Sequence, residues 1–353
     1  MMKRIEDLIR DFAGADAAPA SLAGCPVRLG RPNKVNIIAL GDVGTTMLTG
    51  LILLGGEVIS EIGIFDISEK NTARLEIEMN QIRYPFTGSL RDDACNESGA
   101  GDADRKKTAD PRCLPKVKAV SERELFDCDM LVFCASKGVP PVGEGGDVRM
   151  AQLSANRELV KYYGKLAAAA DGGTGFKGLI AVVSDPVDPL ALCMLRASGL
   201  KPWQVQGCGL GVMNARALYY AEKDERFARY SAEGRAFGPH GADLVIADSV
   251  TDYDDVLSRE LTEMAITANL KVRDLGYKPY IAPAVSSAAI TLILTLKGEW
   301  NYSSVYIGTE TDGAFLGIKN RVTADGREYE DLPLSDELYA RIKKAYEGLR
   351  QLG

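Results

Sequence analysis

Short runs rich in apolar residues alternate, through the first two thirds of the chain, with stretches in which apolar positions recur every three to four residues. The first kind reads as a strand covered on both faces, the second as a helix with one buried stripe. Val35 to Leu40, Glu61 to Phe65, Met130 to Cys134, Leu179 to Val183 and Gln204 to Cys208 are the expected strands. Helices are expected over 45–54, 69–82, from Arg149 through Asn156 toward residue 170, over 188–198, and in a segment containing Arg216. Alternation of this kind predicts an α/β fold built on a doubly wound parallel sheet.

The pattern changes after residue 240. Helical periodicity over 252–275 and 284–296, short strands near 303–309 and 314–322, and an amphipathic helix over 335–351 describe an α+β lobe. At the other end, Ile5, Leu8, Ile9 and Phe12 share one side of a short helix over 3–12. The Ala-, Pro- and Gly-rich stretch 13–33 is either a plain tail or an arm that contacts another subunit. Residues 88–113 are rich in Gly, Asp, Ser, Asn and Lys without periodicity, and read as a surface insertion. No internal repeat is visible.

Composition narrows the picture. A chain of 353 residues with 46% hydrophobic content can bury a large core in two lobes. A net charge of −7 argues against a nucleic-acid surface. No apolar run has the length of a membrane span, Met47 to Gly56 being too short, and no signal-peptide core opens the chain. The seven cysteines lack pairing or metal-type spacing, which fits reduced thiols in a cytoplasmic protein and no metal.

Two stretches carry candidate chemistry. The first is a strand–turn–helix–strand unit whose turn is Gly41-Asp42-Val43-Gly44 and whose second strand ends in Asp66, 22 residues after Gly44. Glycines let a backbone approach a pyrophosphate, a helix N-terminus attracts its charge, and an acid at that spacing holds a ribose hydroxyl. The fingerprint is imperfect: Ala39 stands where its first glycine belongs, and Asp42 puts a negative charge in the loop. The second stretch is Phe237-Gly-Pro-His-Gly241. Its His240 is the only histidine in the chain, and the imidazole is the side chain whose proton is in play near neutrality.

The ordered set of landmarks resembles the lactate/malate dehydrogenases, the NAD-dependent 2-hydroxy acid dehydrogenases, over roughly residues 34–351. Ala135-Ser136 stands where the family has Ala-Gly before its mobile loop, and Arg149 precedes Asn156 by seven residues. Val182-Val-Ser-Asp-Pro-Val-Asp188 matches the family's Val-Val-Ser-Asn-Pro-Val-Asp. Gly207-Cys-Gly leads to Ala215-Arg216, where the family carries Asp-x-x-Arg, and Gly-Pro-His-Gly241 matches its Gly-x-His-Gly. Tyr280-Ile-Ala-Pro-Ala284 is similar to a stretch of substrate wall in some members.

The resemblance implies a Rossmann-type sheet with a C-terminal catalytic domain, divided as an N-terminal arm (1–33), a dinucleotide-binding domain (34–207) and a substrate domain (208–353). It implies NAD held by residues 41–44 and Asp66, with Asn156 facing the cofactor. His240 would be the general acid/base, Arg149 would polarise the substrate carbonyl, and Arg216 would clamp the carboxylate of a 2-hydroxy or 2-oxo acid. Loop 135–148 would close over the site, and the chain would form a homodimer or homotetramer.

Three departures qualify this. The family's aspartate behind the histidine is Met213, its asparagine before the proline is Asp185, and the loop ending at Arg149 is longer and carries Val139-Pro-Pro-Val-Gly-Glu-Gly-Gly. Asp185 is thus either a replacement partner for His240 or a determinant that selects a cationic substrate. The alternative to a working enzyme is a nucleotide-binding family member that has lost catalysis and serves as a sensor or assembly subunit.

Overall fold

The computed structural model describes residues 3–13, 25–84, 114–137, 148–241, 243–277, 282–309 and 311–352. The expected insertion at 88–113, most of the expected mobile loop (138–147) and Tyr280-Ile281 lie outside them.

The strands, in chain order, are β1 (Lys3–Arg4), β2 (Asn33–Ile38), β3 (Ile59–Phe65), β4 (Lys116–Ala119), β5 (Met130–Phe133), β6 (Leu179–Val182) and β7 (Val205–Gly207). There follow β8 (Arg235–Phe237), β9 (Val245–Ala247), β10 (Asn301–Gly308), β11 (Gly313–Thr323), β12 (Gly326–Tyr329) and β13 (Pro333–Leu334). The principal helices are α1 (Ile5–Ala13), α2 (Asp42–Leu54), α3 (Glu69–Met79), α4 (Val148–Gly173), α5 (Val187–Ser198), α6 (Leu210–Ala221), α7 (Asp255–Asp274), α8 (Thr291–Lys297) and α9 (Asp336–Leu352).

Among the described residues, nine strands form one sheet in the order β12-β11-β10-β7-β6-β5-β2-β3-β4. From β4 to β7 every pairing is parallel. The chain builds outward from β2 through β3 to β4, then returns to β5 and builds the other way, so the strand order reverses between β2 and β5. A crevice at the carboxyl ends of the strands opens at such a reversal. The strand β10 joins this block antiparallel through Ser304 opposite Gly207, and β11 and β12 extend it. The sheet therefore runs on past residue 207.

Strands β5 and β6 are buried at every position, as a parallel sheet covered on both faces requires. On one face Met47, Leu48, Leu51 and Ile52 of α2 pack with Leu292 and Leu296 of α8. On the other, Leu153 and Val160 of α4 pack with Leu190 and Met194 of α5.

Two expectations change. The helix expected over 69–82 ends at Met79 because Asn80 turns its amide outward to pair with β4, giving Nδ2 to the Val117 carbonyl at 2.7 Å and taking the Val117 N–H at 3.1 Å. The helical part of the expected N-terminal arm is not an arm. Ile5 and Leu8 of α1 are fully buried among Leu338, Ile342 and Tyr346 of α9 and Leu316 of β11. β1 also pairs with β13.

Candidate active site

The turn after β2 keeps the shape of the dinucleotide fingerprint despite its altered sequence. Ala39 adopts the left-handed φ of +71° that the missing glycine would take. A Cβ on Gly44 would collide with the Ala39 carbonyl, so this position demands glycine. Gly41 caps α2 without a side-chain hydrogen bond, and the space above its Cα is open. An uncapped helix N-terminus under open space, with glycines at close approach, fits a dinucleotide pyrophosphate. Val43 follows on the same first turn of α2, whereas Asp42 brings a carboxylate to it. Asp66 fixes the turn from the next strand: its Oδ2 accepts from Leu40 N at 2.8 Å and its Oδ1 from Ser68 N at 2.9 Å. Each oxygen retains a lone pair that could accept a ribose hydroxyl.

From this turn a continuous line of contacts crosses the carboxyl ends of the strands. Gly44 abuts Cys134 beyond β5. Ser184 Oγ, beyond β6, donates to the Ala135 carbonyl at 2.7 Å. Asn156, on α4 and 1% exposed, takes the Lys137 N–H at 2.9 Å and gives its amide to the Asp185 carbonyl at 2.9 Å. Its amide is thus bonded to protein partners, and it ties the segments after β5 and β6 together. The Asp185–Pro186 peptide bond is cis. Asp185 carries its carboxylate into partial exposure, with Oδ1 3.9 Å from His240 Nδ1.

His240 lies in the connection between β8 and β9. Its ring rests on Gly209, at the start of α6, where a Cβ would come within 2.7 Å of Nδ1. A second carboxylate reaches the same loop from below. Asp188, in the first turn of α5 and 2% exposed, accepts from the His240 main-chain N–H at 3.2 Å through Oδ2. Its Oδ1 takes the Ser304 hydroxyl from β10. Burial pushes its carboxyl up to about 6, against the opposing effect of the Ser304 and His240 hydrogen bonds, and the nearby charge of Asp185 pushes the same way as burial.

Met213 and Arg216 both lie on α6. Met213 is buried in a hydrophobic cluster with Val212, Ala217, Ile246 and Ala265. Arg216 is half-buried, and its guanidinium donates to the Ala265 carbonyl of α7 at 3.1 Å and touches Met213 Sδ at 3.5 Å. Arg149 is the second residue of α4, and its side chain lies outside the described residues. The structure thus brings His240 and Asp185 together. It adds Asp188, Ser304 and Gly209, to which the sequence reading gave no role. Asp188 closes the Ser-Asp-Pro-Val-Asp stretch and carried a signal there, whereas Ser304 is one polar residue in a strand and carried none.

No protein-family profile matches the chain. The L-lactate dehydrogenase of Corynebacterium glutamicum (strain R) is 24% identical over 347 residues, covering 91% of this chain and 96% of that protein. A crystal structure of the minor L-lactate dehydrogenase from Enterococcus mundtii superposes with a TM-score of 0.67 at 19% identity, over 91% of this chain and 97% of that one. The malate dehydrogenase of Archaeoglobus fulgidus in complex with NADH superposes with a TM-score of 0.65 at 20% identity, over 90% and 98%. The architecture is therefore the Rossmann-type α/β fold of the lactate and malate dehydrogenases. Over nearly its full length the chain is also similar in sequence to L-lactate dehydrogenases, at about a quarter of positions.

Proposed function

We propose that this protein is an NAD-dependent oxidoreductase interconverting a 2-hydroxy acid and a 2-oxo acid, with His240 as its acid/base. The observation that carries the reading is the unbroken line of contacts from the turn at 39–44, through Cys134, Asn156 and Asp185, to the only histidine. That line lies along the carboxyl ends of the parallel strands, where ligands of such sheets bind. The backbone at 41–44 would hold the pyrophosphate and Asp66 the adenosine ribose, with NAD favoured over NADP because a carboxylate repels a 2′-phosphate. When bound, the nicotinamide supplies or accepts hydride at the substrate carbon. His240 then gives a proton to the carbonyl oxygen in reduction and removes one from the hydroxyl in oxidation. Arg149 stabilises the developing charge on that oxygen, and Arg216 meets the carboxylate with two parallel N–H donors.

Asp185 makes this site more negative than one with asparagine. Within 3.9 Å of the imidazole it favours the protonated form, and being half-exposed it also faces incoming ligand. We assign it both the support of His240 and a preference for substrates bearing a positive group. The test is NADH oxidation against a panel of 2-oxo acids with neutral, acidic and amino-bearing side chains. The expected result is turnover with NADH exceeding that with NADPH. Asp185→Asn should lower turnover on the preferred acid and raise activity on simple neutral ones. No turnover on any acid, with NADH binding retained, would favour the second reading, a nucleotide-binding member without catalysis. The Arg216 bond to Ala265 and the apolar burial of Met213 speak for that reading.

A further inference from the structure

We propose that Asp188, braced by Ser304, is the positioning residue of this site: it orients the imidazole of His240 by holding that residue's main chain. The inference rests on the assignment of His240 as acid/base. In the position where the family's aspartate stands behind the histidine, this chain has Met213, whose thioether is buried in an apolar cluster and accepts no strong hydrogen bond. A histidine whose main chain is not fixed presents its ring over a range of positions, and misplacement of a catalytic group costs turnover steeply. Asp188 meets the need from a different direction.

Its geometry is over-determined. The carboxylate bridges two elements distant in sequence, with Oδ2 on the His240 N–H and Oδ1 on the Ser304 hydroxyl of β10. It sits in the first turn of α5, where the helix dipole favours negative charge. Gly207 makes the arrangement fit: a Cβ there would come within 2.7 Å of Val187 and 3.0 Å of Ser304 Cβ, displacing the two sides of the bridge. From the other side, Gly209 presses on the His240 ring, so the loop is gripped between a hydrogen bond and a steric stop. A carboxylate 2% exposed is costly to bury unless it is used.

Among the described residues, Asp185, from the segment before α5, is the ionisable group whose charge acts on Asp188, and His240, from the loop after β8, meets it through its main-chain N–H. Because burial lifts its carboxyl to about 6, Asp188 changes charge in the same range as an imidazole. On this proposal, as pH rises through that value, Asp188 gains a negative charge and His240 holds its proton more firmly.

The experiment uses the full chain and exploits its single histidine, since one Hε1 NMR resonance reports His240 without ambiguity. Wild type, Asp188→Asn and Ser304→Ala are titrated from pH 4 to 9. Circular dichroism and thermal melts confirm that each is folded. The expected result is a His240 curve with a second inflection in the wild type. In Asp188→Asn that inflection disappears and the imidazole pKa falls by about half a pH unit or more. In Ser304→Ala it persists but moves upward, because the hydroxyl that favours the carboxylate is gone. In the dehydrogenase assay, Asp188→Asn should lower kcat about tenfold with KM nearly unchanged, as expected for lost orientation. Superposable His240 titrations in all three proteins would overturn the proposal while leaving a measured 2-oxo acid reduction intact. Conversely, coupled titrations in a wild type inactive on every acid would uphold the role of Asp188 and reject the assigned reaction.

Discussion

Ala39 holds a backbone conformation in which an L-side chain is strained. Its φ of +71° belongs to the left-handed region, where Cβ crowds the neighbouring carbonyl. The turn survives because three partners fix it: Asp66 takes the Leu40 N–H, while Thr45 and Asn71 donate to the Leu40 carbonyl. Ala39→Gly should stabilise the fold by about 0.5–1 kcal/mol, the relief of strain exceeding the entropy that glycine adds to the unfolded chain. Urea denaturation read by circular dichroism checks this, and a lower midpoint for the variant would contradict the strain argument. The two acids of the Ser-Asp-Pro-Val-Asp stretch make a complementary point. They lie three residues apart, yet Asp185 is largely exposed beside the His240 ring and Asp188 is buried beneath its backbone. Sequence alone gave the first of them a role because it departs from the resembled motif. The second agrees with that motif, and agreement attracts no notice.

At the scale of elements, the one charged side chain of α2 has two opposite consequences. Asp42 in its first turn interacts favourably with the helix dipole but stands at the edge of the expected pyrophosphate position. Asp42→Asn should therefore cost about 0.3–1 kcal/mol of stability while tightening NADH binding. Fluorescence titration with NADH alongside a thermal melt separates the two, and unchanged affinity would place the phosphates elsewhere. The elements best read from sequence were those buried on both faces: β5 and β6 are continuous apolar runs, and their composition leaves little choice. β4 escaped because Lys116-Val-Lys-Ala119 is an edge strand, half charged, recruited by an asparagine rather than by its own apolar content. The three-residue strands β8 and β9 that flank the histidine loop are too short to leave a period. The same limit applied to the site. Ordered motif spacing located the Gly41 turn and His240, whereas the bond between Asp188 and Ser304 joins residues 116 apart and is visible only in three dimensions.

Over the whole molecule, the sheet is continuous from β4 to β12, and the two ends of the chain meet beside it. Leu8→Ala should cost about 2–5 kcal/mol, since a fully buried leucine in a mixed cluster leaves a cavity. A loss below about 1 kcal/mol in urea denaturation, outside the range for such deletions, would mean that α1 contributes little to the C-terminal cluster. The same meeting of ends bears on how the protein is made. Asp11 of α1 takes the Tyr339 hydroxyl of α9 across 328 residues, and the ring of Phe12 packs on Tyr346 at 4.1 Å. During synthesis the first helix leaves the ribosome long before any of these partners exists, with Ile5, Leu8 and Phe12 uncovered. Its apolar face stays uncovered while the intervening residues are made, and its docking can occur only once α9 has emerged.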